Sequence, residues 1–149
     1  MVKDFLTNQQ EDPVRRRKSG RESWEHAGAK WSIAYILHEL GFKVFREPTL
    51  EVKGRSVRPD LIAVKGHAAI VVEIGQLQPR PIKFKDLYIS IQREYKDFKI
   101  RHVILCNPLI EKFDYLLNID PSNIPQILEK IDRRKEPDQT LHFRKIHRS

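Results

Sequence analysis

The chain has 149 residues, 40% of them hydrophobic and 32% charged, which fits one globular domain with a buried core and excludes a disordered tail protein. No apolar run approaches the ~18 residues a membrane-spanning helix needs, no secretory leader is visible, and the single cysteine, Cys106, excludes an internal disulfide framework or a cysteine-rich zinc site, so a cytoplasmic protein is expected. Lys and Arg number 28 against 20 acids, a formal charge of +8, which favours a polyanionic partner.

Residues 1–20 carry Pro13 and the run Arg15-Arg16-Arg17-Lys18, and read as a flexible basic arm. From Arg21 to Leu40 the pattern turns helical. Trp24, Ala27, Trp31, Ala34 and Leu37 recur at three-to-four spacing, which marks the two tryptophans as core residues, and Gly41 is placed to end the helix. Phe42 to Arg46 reads as a short strand, and Glu51 to Arg55 contains a turn at Lys53-Gly54. Val57–Val64 and Ala68–Ile74 are two β-rich runs joined at Gly66-His67, a hairpin signal.

Ile82 to Phe98 is expected as a second helix, with Leu87, Ile91, Tyr95 and Phe98 on one face. Arg101 to Cys106 reads as a buried strand, and two shorter helices are expected near 109–117 and 123–134. Leu141-His142-Phe143 offers an edge strand in an otherwise peripheral, basic tail. The domain organisation is then an arm at 1–20, a domain at 21–135 and a tail at 136–149. The order is αβββαβ with helices after it. Strands apolar on both faces imply an α/β fold with a mixed central sheet flanked by helices.

Two acids interrupt apolar strands. If Gly66-His67 is a two-residue loop, Lys65 faces Ala68 and paired residue numbers sum to 133, which sets Asp60 opposite Glu73 with Cβ atoms about 4.5–5.5 Å apart. Carboxylates that close repel unless a cation or proton lies between them. Mg²⁺, a hard ion that typically takes one or two carboxylates and keeps several waters, resolves the conflict. The alternative is a structural ion pair with Arg58 or Lys30.

The string Arg58-Pro59-Asp60, twelve residues, then Glu73-Ile74-Gly75-Gln76 resembles the motif of the PD-(D/E)XK nuclease superfamily, the restriction-endonuclease-like group that includes Holliday-junction resolvases. The αβββαβ order over about residues 21–106 matches its core. Within it, His26, Lys30, Gly41, Glu47, Asp60, Glu73, Arg93 and Tyr95 are similar to a competence-protein CoiA-like pattern. The resemblance implies a Mg²⁺-dependent endodeoxyribonuclease, with Mn²⁺ as a substitute ion. Asp60, Glu73 and the Ile74 carbonyl would bind the metal, with His26 or Glu25 completing its shell. One departure stands out: the motif lysine two residues after Glu73 is Gly75, followed by Gln76, whereas CoiA-like members place a Gln at the lysine's own position. Either another lysine supplies the charge, or Gln76 takes a polar role, or the site is degenerate.

Positions 26, 30, 33, 37 and 40 form one helical stripe ending in Ile33, Leu37 and Leu40, so His26 and Lys30 continue a core-facing line toward the helix start. Lys30 is expected to orient water or stabilise charge at the acid pair. Glu22 is read as a helix-dipole charge. Arg15, Arg16, Arg17, Lys18, Lys53, Arg55, Arg58 and Arg93 are the expected nucleic-acid contacts. The partner is DNA, branched or single-stranded, with a homodimer expected. The alternatives are a degenerate nucleic-acid-binding module on this fold and a partner subunit of a larger DNA-processing complex.

Overall fold

A computed structural model of the chain describes residues 6, 9–18, 20–75, 81–106 and 123–131. Its elements, in chain order, are α1 (Trp24–Glu39), β1 (Lys43–Arg46), β2 (Leu50–Val52), β3 (Arg55–Val57), β4 (Leu61–Lys65), β5 (Ala68–Gly75), α2 (Pro81–Glu94), β6 (Lys99–Cys106) and α3 (Ile124–Ile131).

Local chemistry sets both ends of α1. The Ser23 side chain accepts from the His26 N–H at 3.1 Å as an N-cap. At the other end Gly41 adopts φ 92°, and the Phe42 N–H reaches the Leu37 carbonyl at 3.0 Å. That is a Schellman closure, for which a left-handed residue just past the helix is the requirement. Phe42 and Leu37 then meet in the same apolar cluster.

The main sheet runs β1-β4-β5-β6, antiparallel except for the parallel β5–β6 pair that α2 connects. A parallel neighbour needs such a crossover, since a tight turn would reverse the strand. The αβββαβ core is therefore present as α1, β1, β4, β5, α2 and β6, and the fold is mixed α/β. The second helix ends at Glu94 rather than Phe98 and the strand after it begins at Lys99 rather than Arg101, and one expected region is rearranged. Glu51–Arg55 and the start of the Val57 run form a separate hairpin, β2–β3, whose turn residues Lys53 and Gly54 both have positive φ (53° and 72°). Pro59, which has no N–H to give a ladder, separates β3 from β4.

The sheet buries a different apolar set on each face. Leu61, Ala63, Ile70, Val72 and Ile74 pack with Ile33 and Leu37 of α1 and with Ile124 and Leu128 of α3. Ile62, Ala69 and Val71 pack with Ile91 of α2, with Tyr95 just past its end, and with Leu50 and Val52 of the extra hairpin. The side chains expected on the inner face of α2 are buried or half-buried, and the Tyr95 hydroxyl reaches the Glu51 carbonyl at 3.4 Å.

Two expectations need correction. Trp24 is not core: it is 72% exposed, and Trp31 is only half-buried. The buried stripe of α1 centres on Lys30, Ile33 and Leu37, which puts the tryptophans roughly 100–120° around the helix from Lys30. The described part of residues 1–20 is not a free arm either. The Asp12 N–H donates to the Val44 carbonyl at 2.7 Å, Gln9 and Thr49 exchange two hydrogen bonds at 3.0 Å, and Trp31 Nε1 reaches the Val14 carbonyl at 3.3 Å. The helix expected near 109–117 and the strand at 141–143 lie outside the described residues. Among the described residues no helix is long and apolar enough to cross a membrane.

Candidate active site

The β4–β5 register runs from Lys65↔Ala68 to Leu61↔Val72, every pair summing to 133 as expected. One step further, Asp60 stands at the strand entry opposite Glu73. Asp60 is held from two sides: its Oδ2 accepts from the Ile74 N–H at 2.7 Å, and its carbonyl accepts from the Glu47 N–H at 2.9 Å. Glu73 is half-buried at the end of an apolar strand. Its carboxyl is pushed up to about 8, first by burial and then by the negative charge of Asp60, with His26 partly opposing. Neither alternative ion-pair partner answers this conflict. Arg58 is exposed and Lys30 is engaged elsewhere.

His26 closes the site from the first turn of α1. Its Nδ1 lies 2.6 Å from Glu22 Oε2, and its Nε2 lies 2.8 Å from the Ile74 carbonyl and 3.7 Å from Asp60 Oδ2. An ionised carboxylate and a carbonyl oxygen only accept, so both ring nitrogens must carry protons. The ring is accordingly raised to about 9. The polar interaction with the Asp60 carboxylate is the largest cause; burial opposes it, and Glu22, the negative charge of Asp60 and the Ile74 carbonyl add to it. A doubly protonated imidazole has no lone pair for a metal. In this arrangement His26 is a cation beside the acids, and it would have to release its Nε2 proton to serve as a ligand.

Lys30 departs from expectation. Its side chain is fully buried, yet Nζ pairs with Glu22 and, at 3.1 Å, with Glu47. Strand alternation explains why it does not meet Glu73. Glu73 shares a face with Val71, which packs on α2, whereas α1 covers the opposite face with Leu61 and Val72. Arg46 Nη2 also reaches Glu22, at 3.4 Å, and donates to the Arg17 carbonyl at 2.9 Å. Glu22 is therefore the hub of a buried charge network, not a simple dipole charge. The spacing 22-26-30 extends the core-facing stripe by one further turn, and that is the signal in the sequence that identifies it.

The other expected residues separate cleanly. Glu25 is exposed in the first turn of α1, roughly 140° around the helix from Lys30. Gln76 lies outside the described residues. Arg15, Arg16, Arg17, Lys53, Arg55, Arg58 and Arg93 are all exposed, and Lys18 is half-buried. Gln92 is structural: its side chain binds the Phe98 carbonyl and the Ile100 N–H at 2.9 and 3.1 Å. Among the described residues no three His, Cys, Asp or Glu side chains converge to hold an ion by themselves. The oxygen donors at hand are Asp60, Glu73 and the Ile74 carbonyl, a set that suits a hard divalent cation completed by water. A buried acid raised further by the charge of a neighbouring acid is a further reason why the set fits a cation.

Residues 27–95, from α1 to the end of α2, match the family model described as archaeal Holliday junction resolvase. No curated protein matches the chain. Among solved structures, a crystal structure of a protein of unknown function, AF1548, is similar at 13% identity with a TM-score of 0.44 over 64% of this chain. The chain spans 55% of that protein's length.

Proposed function

We propose that this chain, a member of the PD-(D/E)XK nuclease superfamily, is a divalent-metal-dependent endonuclease that cuts the phosphodiester backbone of branched DNA. The observation that carries the reading is the Asp60–Glu73 pair: two acids brought together at the same end of a buried sheet by the β4–β5 register. The match to a resolvase family supports branched DNA as the substrate, and the +8 charge supports a nucleic-acid partner.

Asp60, Glu73 and the Ile74 carbonyl would hold the ion, Mg²⁺ or Mn²⁺. Bound there, it would polarise the scissile phosphate and make a water acidic enough to attack. The Ile74 N–H fixes the Asp60 carboxylate, so the donor set is ordered before substrate arrives. His26, already cationic and 3.7 Å from Asp60, takes the part of the lysine that Gly75 replaces: a positive group to stabilise charge developing on the phosphate. The exposed arginines would grip the backbone without reading sequence. A homodimer would present two such sites to the two strands that resolution of a junction must cut.

The test is cleavage of linear, single-stranded and four-way-junction DNA with Mg²⁺, Mn²⁺ or EDTA. Metal-dependent incision of the junction is expected. Asp60→Asn and Glu73→Gln should each lower the rate by ~10³ or more while leaving binding in EDTA intact. His26→Ala should lower it by about 10²–10³. The absence of the motif lysine at Gly75 favours a second reading, a module that binds DNA without cutting it. Binding of junction DNA with no incision under any metal would select that reading over the first.

A further inference from the structure

Outside the acid pair, the outer face of α1 carries an aromatic and cationic assembly that cleavage does not use. Trp24, Trp31 and Tyr35 follow one another along it, with Trp31 and Tyr35 stacked at 5.6 Å between centroids. Arg16 sits 4.4 Å over the Trp31 ring, and Lys18 lies 5.6 Å from the Trp24 ring. Between the segment carrying Arg16 and Arg17 and the helix there is a groove of about 330 Å³, floored by Ala27 and Gly28. That size is near the lower end of small-ligand pockets, roughly 300–1,000 Å³. A side chain added at Gly28 would meet nothing within 4 Å, so the floor is open. Trp24 and Trp31 are seven residues apart, which separates the indoles along the helix by about 10 Å.

We infer that this groove binds an unpaired stretch of single-stranded DNA, with bases stacked on Trp24 over the Ala27–Gly28 floor and phosphates met by Arg15, Arg16 and Arg17. Two properties select that occupant. An indole left 72% exposed offers a π-face that stacks on any base, and the exposed cations beside it complement a phosphate backbone but not a second copy of a chain of charge +8. Branched DNAs such as flaps and forks carry single strands at the branch, so the inference extends the proposed substrate; it depends on a DNA partner and not on cleavage.

The test measures binding of an oligothymidylate and of a duplex of equal length by the full chain in EDTA, where no incision occurs. Trp24→Ala removes an exposed ring, so the fold survives. Affinity for the oligothymidylate should fall about 5- to 150-fold, as expected for losing one stacked base, while duplex affinity holds. Trp24→Phe should recover most of the loss. Gly28→Leu, a change that favours the helix, should fill the groove and weaken the same single strand. Unchanged oligothymidylate affinity in Trp24→Ala overturns the inference. So does an equal loss for the duplex, or a shift in sedimentation that assigns Trp24 to self-association. Failure to cut junctions with Mg²⁺ would leave this result standing, and the converse also holds.

Discussion

The two faces of the sheet end carry opposite solutions to buried charge. On the α1 face, Glu22, Lys30, Arg46 and Glu47 compensate one another, each acid meeting a cation and each cation an acid. On the other face, Asp60 and Glu73 are two acids with no cation directly on Glu73 among the described side chains, and burial together with the Asp60 charge raises Glu73 to about 8. The first arrangement is what a fold does to tolerate ions in its interior. The second is unfinished without a bound cation, which is why the functional reading belongs there. His26 joins the two, one nitrogen on Glu22 and the other beside Asp60.

The largest effect that would separate the faces is on stability. Lys30→Met keeps the apolar stem but strands Glu22 and Glu47 near a buried site, and should cost roughly 3–5 kcal/mol in a denaturation curve. Adding Glu22→Gln should recover part of that loss. If Lys30→Met instead leaves stability intact and removes cleavage by ~10², the lysine serves the acid pair after all, and the division between the faces is wrong.

A pH series should give the next largest effect. Folding raises Glu73 from its ordinary 4.5 to about 8 and His26 from 6.5 to about 9. The folded chain therefore holds protons that the unfolded chain has released, and its metal-free stability should decline as pH rises from about 5 toward 9. Glu73→Gln should flatten the lower part of that decline, and Mg²⁺ should flatten it by favouring the ionised acid. A melting temperature that climbs across this range would contradict the assignment.

Much of this was legible in the sequence, for reasons tied to particular residues. Gly66-His67 fixed the register, and register alone set Asp60 against Glu73. The 26-30-33-37-40 line gave the inner face of α1. What strand periodicity does not contain is the face of the sheet a helix will cover, so Lys30 was expected at the acids when it lies across the sheet from them. Trp24 and Trp31 fell on an equally regular spacing, and only the packing of Ile33 and Leu37 on β4 and β5 decides which stripe is inside. The anchoring of residues 9–14 rests on hydrogen bonds to Val44 and Thr49, partners more than thirty residues away that no local pattern marks.

The smallest effect concerns the exposed cations. Arg15→Gln with Arg16→Gln should reduce the slope of log affinity against log salt by about 1–2 on duplex DNA, since each lost phosphate contact contributes ~0.9. Deleting residues 1–20 is a poorer test, because it also removes Asp12 and Val14 from the domain.

The central claim is that Asp60 and Glu73 form a cation site, and calorimetric titration with Mn²⁺ or Mg²⁺ at pH 7 tests it most directly. The wild-type chain should bind the ion and release close to one proton on doing so, because Glu73 enters the site protonated and must ionise to serve as a ligand. Glu73→Gln should bind far more weakly and release none. Metal binding of equal strength and equal proton release in Glu73→Gln would place the ion elsewhere and contradict the account.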